Sequence, residues 1–204
     1  MTETAQGTPC SVLGRPRNPE VDRAIAAATL ELLAEHGFAG VTVEAVAAVA
    51  GVAKSTVYRR YPSRLELLIG VIRHELAEPK GEVDSGTVVG DLALLGRRLV
   101  VGLTQTSFGR ALPAILSATA AHPELHEVRL EFVSSRRAPA VAAVRRAIDR
   151  GELRADADPE QVVDVLSGPV FYRVFVKGET VDEAWIDAHA ESVVRAFAPQ
   201  DSGT

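Results

Sequence analysis

The chain has 204 residues, enough for one mid-sized domain or a small domain joined to a larger one. Its 47% hydrophobic and 24% charged composition is ordinary for a soluble globular protein. The longest apolar run, Ala45 to Ala53, is about half of a membrane span, so no membrane partner is expected. A single cysteine, Cys10, excludes an internal disulfide. Met1 to Cys10 lacks the basic start and apolar core of a secretory signal, so the expected compartment is the cytoplasm. The net charge of −5 argues at first against a nucleic-acid partner, but its distribution reverses the argument. Gly51 to Arg64 holds Lys54, Arg59, Arg60 and Arg64 and no acid, whereas beyond residue 75 there are 14 basic and 19 acidic residues. A basic end on an acidic body suits a DNA reader with a separate sensing domain.

Residues 1–18 mix Thr, Gly, Pro, Ser and Asn without periodicity and read as a mobile arm whose only charges near its end are Arg15 and Arg17. A first helix starts at Pro19, capped by Asn18, with Glu20 and Asp22 in its first turn. Val21, Ile25, Ala28 and Leu32 form its buried stripe, and Gly37 ends it. Thr42 caps a short second helix with Val46, Ala47 and Ala50 inside. Gly51 allows a tight turn, and a third helix runs from about Ala53 to Tyr61, stopped by Pro62. Ser63 and Glu66 form a capping box opening a fourth helix, whose stripe is Leu65, Leu68, Ile72 and Leu76.

The run Glu78 to Gly86 is the best break in the chain. Beyond it five more helices are expected: one along Val88, Leu92, Leu95, Leu99 and Leu103, and a second from Phe108 to Ala120. The third, long one starts after Pro123 and ends at Gly151, with Pro139 kinking it. Another opens at Asp158-Pro159, and a last opens at Thr180 and Glu183 and ends near Pro199. The alternating, turn-bounded runs of a β fold are absent.

A short helix, a glycine turn and a second short helix form the arrangement in which the second helix enters a major groove while the first crosses the backbone. On that second helix Lys54, Ser55 and Arg59 project toward base edges, since lysine and arginine suit guanine N7 and O6 and serine serves any base. Thr42, Thr56, Tyr58, Arg60, Tyr61 and Arg64 are placed for phosphates. Plainer readings stay open: the tyrosines as core aromatics, the cations as a solvated face, and Arg15 and Arg17 as arm charges rather than groove contacts.

The Gly51-Val52 turn, Thr56 two before Tyr58, Tyr61 three after it, and the Pro62-Ser63-Arg64 opening of the next helix together resemble the TetR family over about residues 15–75. The resemblance implies an all-α protein of about nine helices. It would have a three-helix helix-turn-helix DNA-binding domain (19–62), a connecting helix (63–78) and a helical ligand-binding and dimerisation domain (87–199). It further implies a homodimer on a roughly palindromic double-stranded operator, released by a small-molecule effector, with no cofactor. Two positions depart from the family pattern: Ala53 stands where serine or threonine is usual, and Arg60 where histidine or tyrosine is commoner. Lacking a side-chain cap at Ala53 costs about 1 kcal/mol.

In the second half, Gly168-Pro169-Val170-Phe171-Tyr172-Arg173 resembles the Gly-Pro-x-x-Tyr-Arg segment of one C-terminal class of that family, which pairs with its twofold mate. Gly168, Pro169, Phe171, Tyr172 and Phe175 are the implied dimer contacts, with an intramolecular core helix as the other reading. Phe108, Leu112, His122, Phe132 and Trp185 are pocket candidates, and the aliphatic sensor suits an apolar or amphipathic ligand. His122 and His126 lie four apart, but no cysteine or further histidine is nearby in sequence, and no metal is assigned. An enzyme is disfavoured because no Gly-x-Ser-x-Gly, His-Glu-x-x-His or phosphate-loop motif occurs. A ligand-independent DNA-binding protein stays open.

Overall fold

The computed structural model describes residues 18–77 and 81–199; Arg15 and Arg17 lie outside the described residues. Within them the chain is helical, with no strand. In order come α1 (Pro19–Gly40), α2 (Val43–Ala50), α3 (Lys54–Arg60), α4 (Arg64–Leu76), α5 (Val88–Thr104) and α6 (Ser107–Ala121). A 3-10 turn (Pro123–Leu125) leads into α7 (His126–Asp149), followed by α8 (Pro159–Phe171), a π-helical turn (Tyr172–Lys177) and α9 (Glu183–Ala196).

Local chemistry sets most boundaries. Backbone N–H groups of the first turns are met by the side chains of Asn18, Thr42, Ser63, Thr87, Thr106 and Asp158. Gly37, at φ 65° and ψ −173°, breaks the helical path of α1 three residues before the element ends. Three expectations differ in detail. The last helix is capped not by Thr180 but by Asp182, whose carboxylate accepts the Trp185 N–H at 2.8 Å. The long helix begins with a 3-10 turn and continues through Pro139 as one element. The π turn has no counterpart in the sequence reading, because i→i+5 bonding breaks the 3.6-residue period on which that reading depends.

Burial falls into two clusters. One joins Ile25, Leu33, Val46, Val57, Leu68 and Ile72 of the first four helices to Ala111, Ile115, Leu125 and Val128 of the body. The other packs Leu92 of α5, Val144 of α7, Val162 of α8 and Val193 of α9 together, with Leu153 from the α7–α8 loop. The reading head thus shares its core with α6 and the start of α7. The segment after the expected break is also strapped to the body. Val83 is buried, Arg98 donates to the Gly81 carbonyl at 2.8 Å, and Arg146 donates to the Val83 carbonyl. The Val88 N–H donates to Glu152 at 2.6 Å. Burial opposes charge on Glu152, yet the Arg150 and Val88 hydrogen bonds hold its carboxyl below the usual range.

The α5–α6 turn gives a sharp test of this packing. A Cβ on Gly109 would lie 2.2 Å from the Gly102 carbonyl oxygen and 2.4 Å from that of Leu103, and backbone cannot step aside. Gly109→Ala is expected to destabilise by about 1–3 kcal/mol or more. Gly102, in the helix beside it, has nothing within 4 Å of the added carbon. Alanine there should be neutral or gain about 0.5–1 kcal/mol. Urea unfolding midpoints of the two variants decide the matter, and equal midpoints would contradict the close approach.

Candidate functional site

The helix-turn-helix is built from short-range rules. The Thr42 hydroxyl accepts the Ala45 N–H at 3.1 Å and starts α2. Gly51 closes α2 in the left-handed region (φ 67°, ψ 30°), which favours glycine. The Val52 N–H reaches back to the Ala47 carbonyl at 3.0 Å and that of Gly51 to Ala48 at 3.3 Å, a Schellman closure that sets the turn angle. Ala53 then opens α3 with no side-chain cap.

α3 is held to the core by Val57, which is 0% exposed. At about 100° per residue, Lys54, Tyr58, Ser55 and Arg59 span the opposite, outward face. All four are exposed, Tyr58 at 49%, whereas Thr56, Arg60 and Tyr61 are half-buried. Lys54 Nζ sits 3.8 Å from Glu44 of α2 with both side chains mostly in solvent, an interaction worth little. The outward face therefore presents two cations, a phenol and a hydroxyl, with Val57 as its anchor.

The remaining candidates divide. Arg60 turns inward: its Nε donates to Asp22 Oδ1 at 2.7 Å, its side chain is 12% exposed, and it ties α3 to α1. Tyr61 lays its ring over Gly70 of α4, where a Cβ would come within 2.3 Å of the ring. Arg64 stacks over the Phe38 ring at 4.4 Å and reaches the Phe38 and Ala39 carbonyls at 3.4 and 3.5 Å, on the exposed end of α1. Asp22, Phe38 and Gly70 are the partners that sequence alone does not indicate, since each lies far along the chain or on another helix.

In the body, a cavity of about 100 Å³ opens between α4, α6, α7 and α8. Leu112 and Phe132 line it together with Ile72, Ile115, Arg129 and Phe171. Phe108 stands behind Phe132 at 4.9 Å between ring centroids. The other two candidates are elsewhere. His122 packs edge-on against Phe38 at 5.2 Å, and Trp185 stacks on His189 at 4.8 Å beneath the Arg173 guanidinium. The cavity wall also touches the head. Arg136 lies over the Phe132 ring at 5.0 Å and donates to the Glu75 carbonyl at 2.8 Å and its carboxylate at 3.2 Å, at the end of α4.

The Gly-Pro segment ends α8 and enters the π turn. Phe171 and Phe175 pair at 5.8 Å and are half-buried, as is Pro169, while Gly168 is exposed. Tyr172 and Val176 are 56% and 71% exposed. Arg173 pairs with Glu179 at 2.6 Å, which holds the turn in place.

Comparison with known proteins gives the same reading. The family profile "Bacterial regulatory proteins, tetR family" matches residues 25–71, and "Tetracyclin repressor-like, C-terminal domain" matches residues 82–193. The uncharacterized HTH-type transcriptional regulator YdeS of Bacillus subtilis (strain 168) is 30% identical over 185 residues, 90% of this chain and 91% of its own. The crystal structure of the TetR family transcription regulator SCO0332 superposes with a TM-score of 0.61 at 32% identity, covering 88% of this chain and all of that one. FadR of Bacillus subtilis, solved with stearoyl-CoA, shares the fold at a TM-score of 0.59 and 18% identity over 85% of this chain and 95% of its own. With the reading head and the helical body each matched in this way, the chain belongs to the TetR family of helix-turn-helix transcriptional regulators.

Proposed function

We propose that the protein is a homodimeric repressor that leaves its operator when a small molecule enters the body. The observation that carries this reading is the outward face of α3, where Lys54, Ser55, Tyr58 and Arg59 stand exposed on a helix held from its other side by buried Val57 and by the Arg60–Asp22 pair. Lys54, Ser55 and Arg59 read base edges, and Tyr58 and Thr56 touch phosphates. The Thr42 oxygen accepts its capping bond, which leaves the hydroxyl proton for a phosphate. Arg64 sits at the flank, and Arg15 and Arg17, which precede α1 in sequence, are further candidates for the adjoining groove or backbone. Arg60 and Tyr61 act indirectly, by setting the angle of α3 against α1 and α4.

Two heads on half-sites about 34–36 Å apart, or a multiple of that, require a twofold partner. The face of Gly168, Pro169, Phe171, Tyr172 and Phe175 supplies the apolar surface for it. An effector in the cavity presses on Ile72 of α4 and on Phe132, which Arg136 links to Glu75. A ligand that fits better when α4 is displaced shifts the population away from the DNA-spaced state. FadR, with stearoyl-CoA bound, supports the idea that this fold admits a ligand.

Fluorescence anisotropy with duplexes from the region around the protein's own gene, titrated with salt, tests the reading. Log affinity should fall linearly with log salt, by about 0.9 per phosphate contacted. Affinity independent of salt would remove the phosphate contacts and the reading with them.

A further inference from the structure

The cavity between α4, α6, α7 and α8 has a wall of carbon alone. Ile72, Leu112, Ile115 and Phe132 form much of it, and the two polar residues beside them turn their polar atoms elsewhere. The Thr119 hydroxyl donates to the Leu116 carbonyl at 3.0 Å, within its own helix. Arg129 meets the cavity through its hydrocarbon stem, while its Nη2 lies 3.4 Å from Nδ1 of exposed His126, on the solvent side. A buried water needs about two to four polar partners, and this wall supplies none. A charge or a hydroxyl entering it would lose its hydration with no hydrogen bond in return. Leu116 of α6 and Val133 of α7 also line the cavity and are 44% and 41% exposed, so the way in from the surface is apolar too.

We infer that the effector is an uncharged hydrocarbon, aromatic or aliphatic, held in this cavity by shape and contact without a hydrogen bond. An amphipathic ligand finds no anchor for its polar end here. An apolar protein cavity of about 150 Å³ takes benzene or xenon. The volume here, about 100 Å³, is of the same order and suits a single six-membered ring. A larger body must part Phe132 from Ile72, and those residues belong to α7 and α4. The inference rests on the sensor reading above and names the chemical class of its ligand.

Calorimetric titration of the full chain with toluene, phenol and benzoate, three rings of similar size that differ in polarity, is the test. Toluene is expected to bind about ten-fold or more tightly than phenol, as a buried hydroxyl without a partner implies, and benzoate is expected not to bind. Leu112→Trp, which puts a ring of its own into the cavity, should lower toluene affinity by about ten-fold or more. Phenol or benzoate binding as tightly as toluene to the unaltered protein, or no binding of toluene, overturns the inference without reference to a variant's folding. Toluene affinity that is unchanged in a folded Leu112→Trp protein overturns it too. Operator anisotropy on the same samples separates the two readings. Toluene binding that leaves DNA bound upholds the hydrocarbon site and removes the sensor. Release by a polar or charged molecule with no response to toluene keeps the sensor and removes the site.

Discussion

Alanine placed together at Lys54, Tyr58 and Arg59 is expected to abolish operator retention at moderate salt, lowering affinity by about a hundred-fold or more. Each base-reading side chain lost costs about 1–3 kcal/mol, and each lost phosphate contact reduces the salt slope by about one. The variant should fold as well as the parent. All three side chains are exposed, Tyr58 at 49%, and alanine is the best helix former. Arg60→Ala is the control. Its guanidinium bonds Asp22 rather than solvent, so its loss should lower the unfolding midpoint while leaving the salt slope nearly unchanged. The assignment fails if the triple variant keeps its grip on DNA, or if its loss of binding follows its loss of fold.

Glutamate at both Tyr172 and Val176 is expected to convert the protein to a monomer and to lower operator affinity by about 10²–10⁴-fold through lost avidity. These two residues are 56% and 71% exposed, four apart on the π turn, and so fall nearly on one face. Under a twofold operator every substitution is met by its own copy, which places like charges across an interface that needs an apolar centre. The monomer loses no internal contact of consequence, because both side chains are exposed and the Arg173–Glu179 pair that holds the turn is left in place. Sedimentation velocity and anisotropy on a full and a half operator read both effects. An unaltered protein that sediments as a monomer at micromolar concentration would remove the dimer, and a double variant that stays dimeric would move the interface elsewhere.

The two tests draw on different kinds of information. Helix caps at Asn18, Thr42, Ser63 and Asp158 were legible because a cap is a bond between residues two or three apart. The Gly51 turn was legible because only glycine takes that φ cheaply, and the exposed face of α3 because Val57 sits alone among polar neighbours. The cavity was half legible. Leu112 and Phe132 meet there, whereas His122 and Trp185, equally plausible by residue type, pack against Phe38 and His189 instead.

By itself the amino-acid order determined the helices, their ends, the left-handed turn and the cationic rod, since each depends on groups within one or two turns of backbone. Only the tertiary structure decided that Arg60 belongs to Asp22, 38 residues away, and that Arg136 joins Phe132 to Glu75. It alone decided that Ile72 of α4 and Phe132 of α7 share one cavity wall. The reason is geometric: periodicity says which side of a helix is covered, and packing alone says by what.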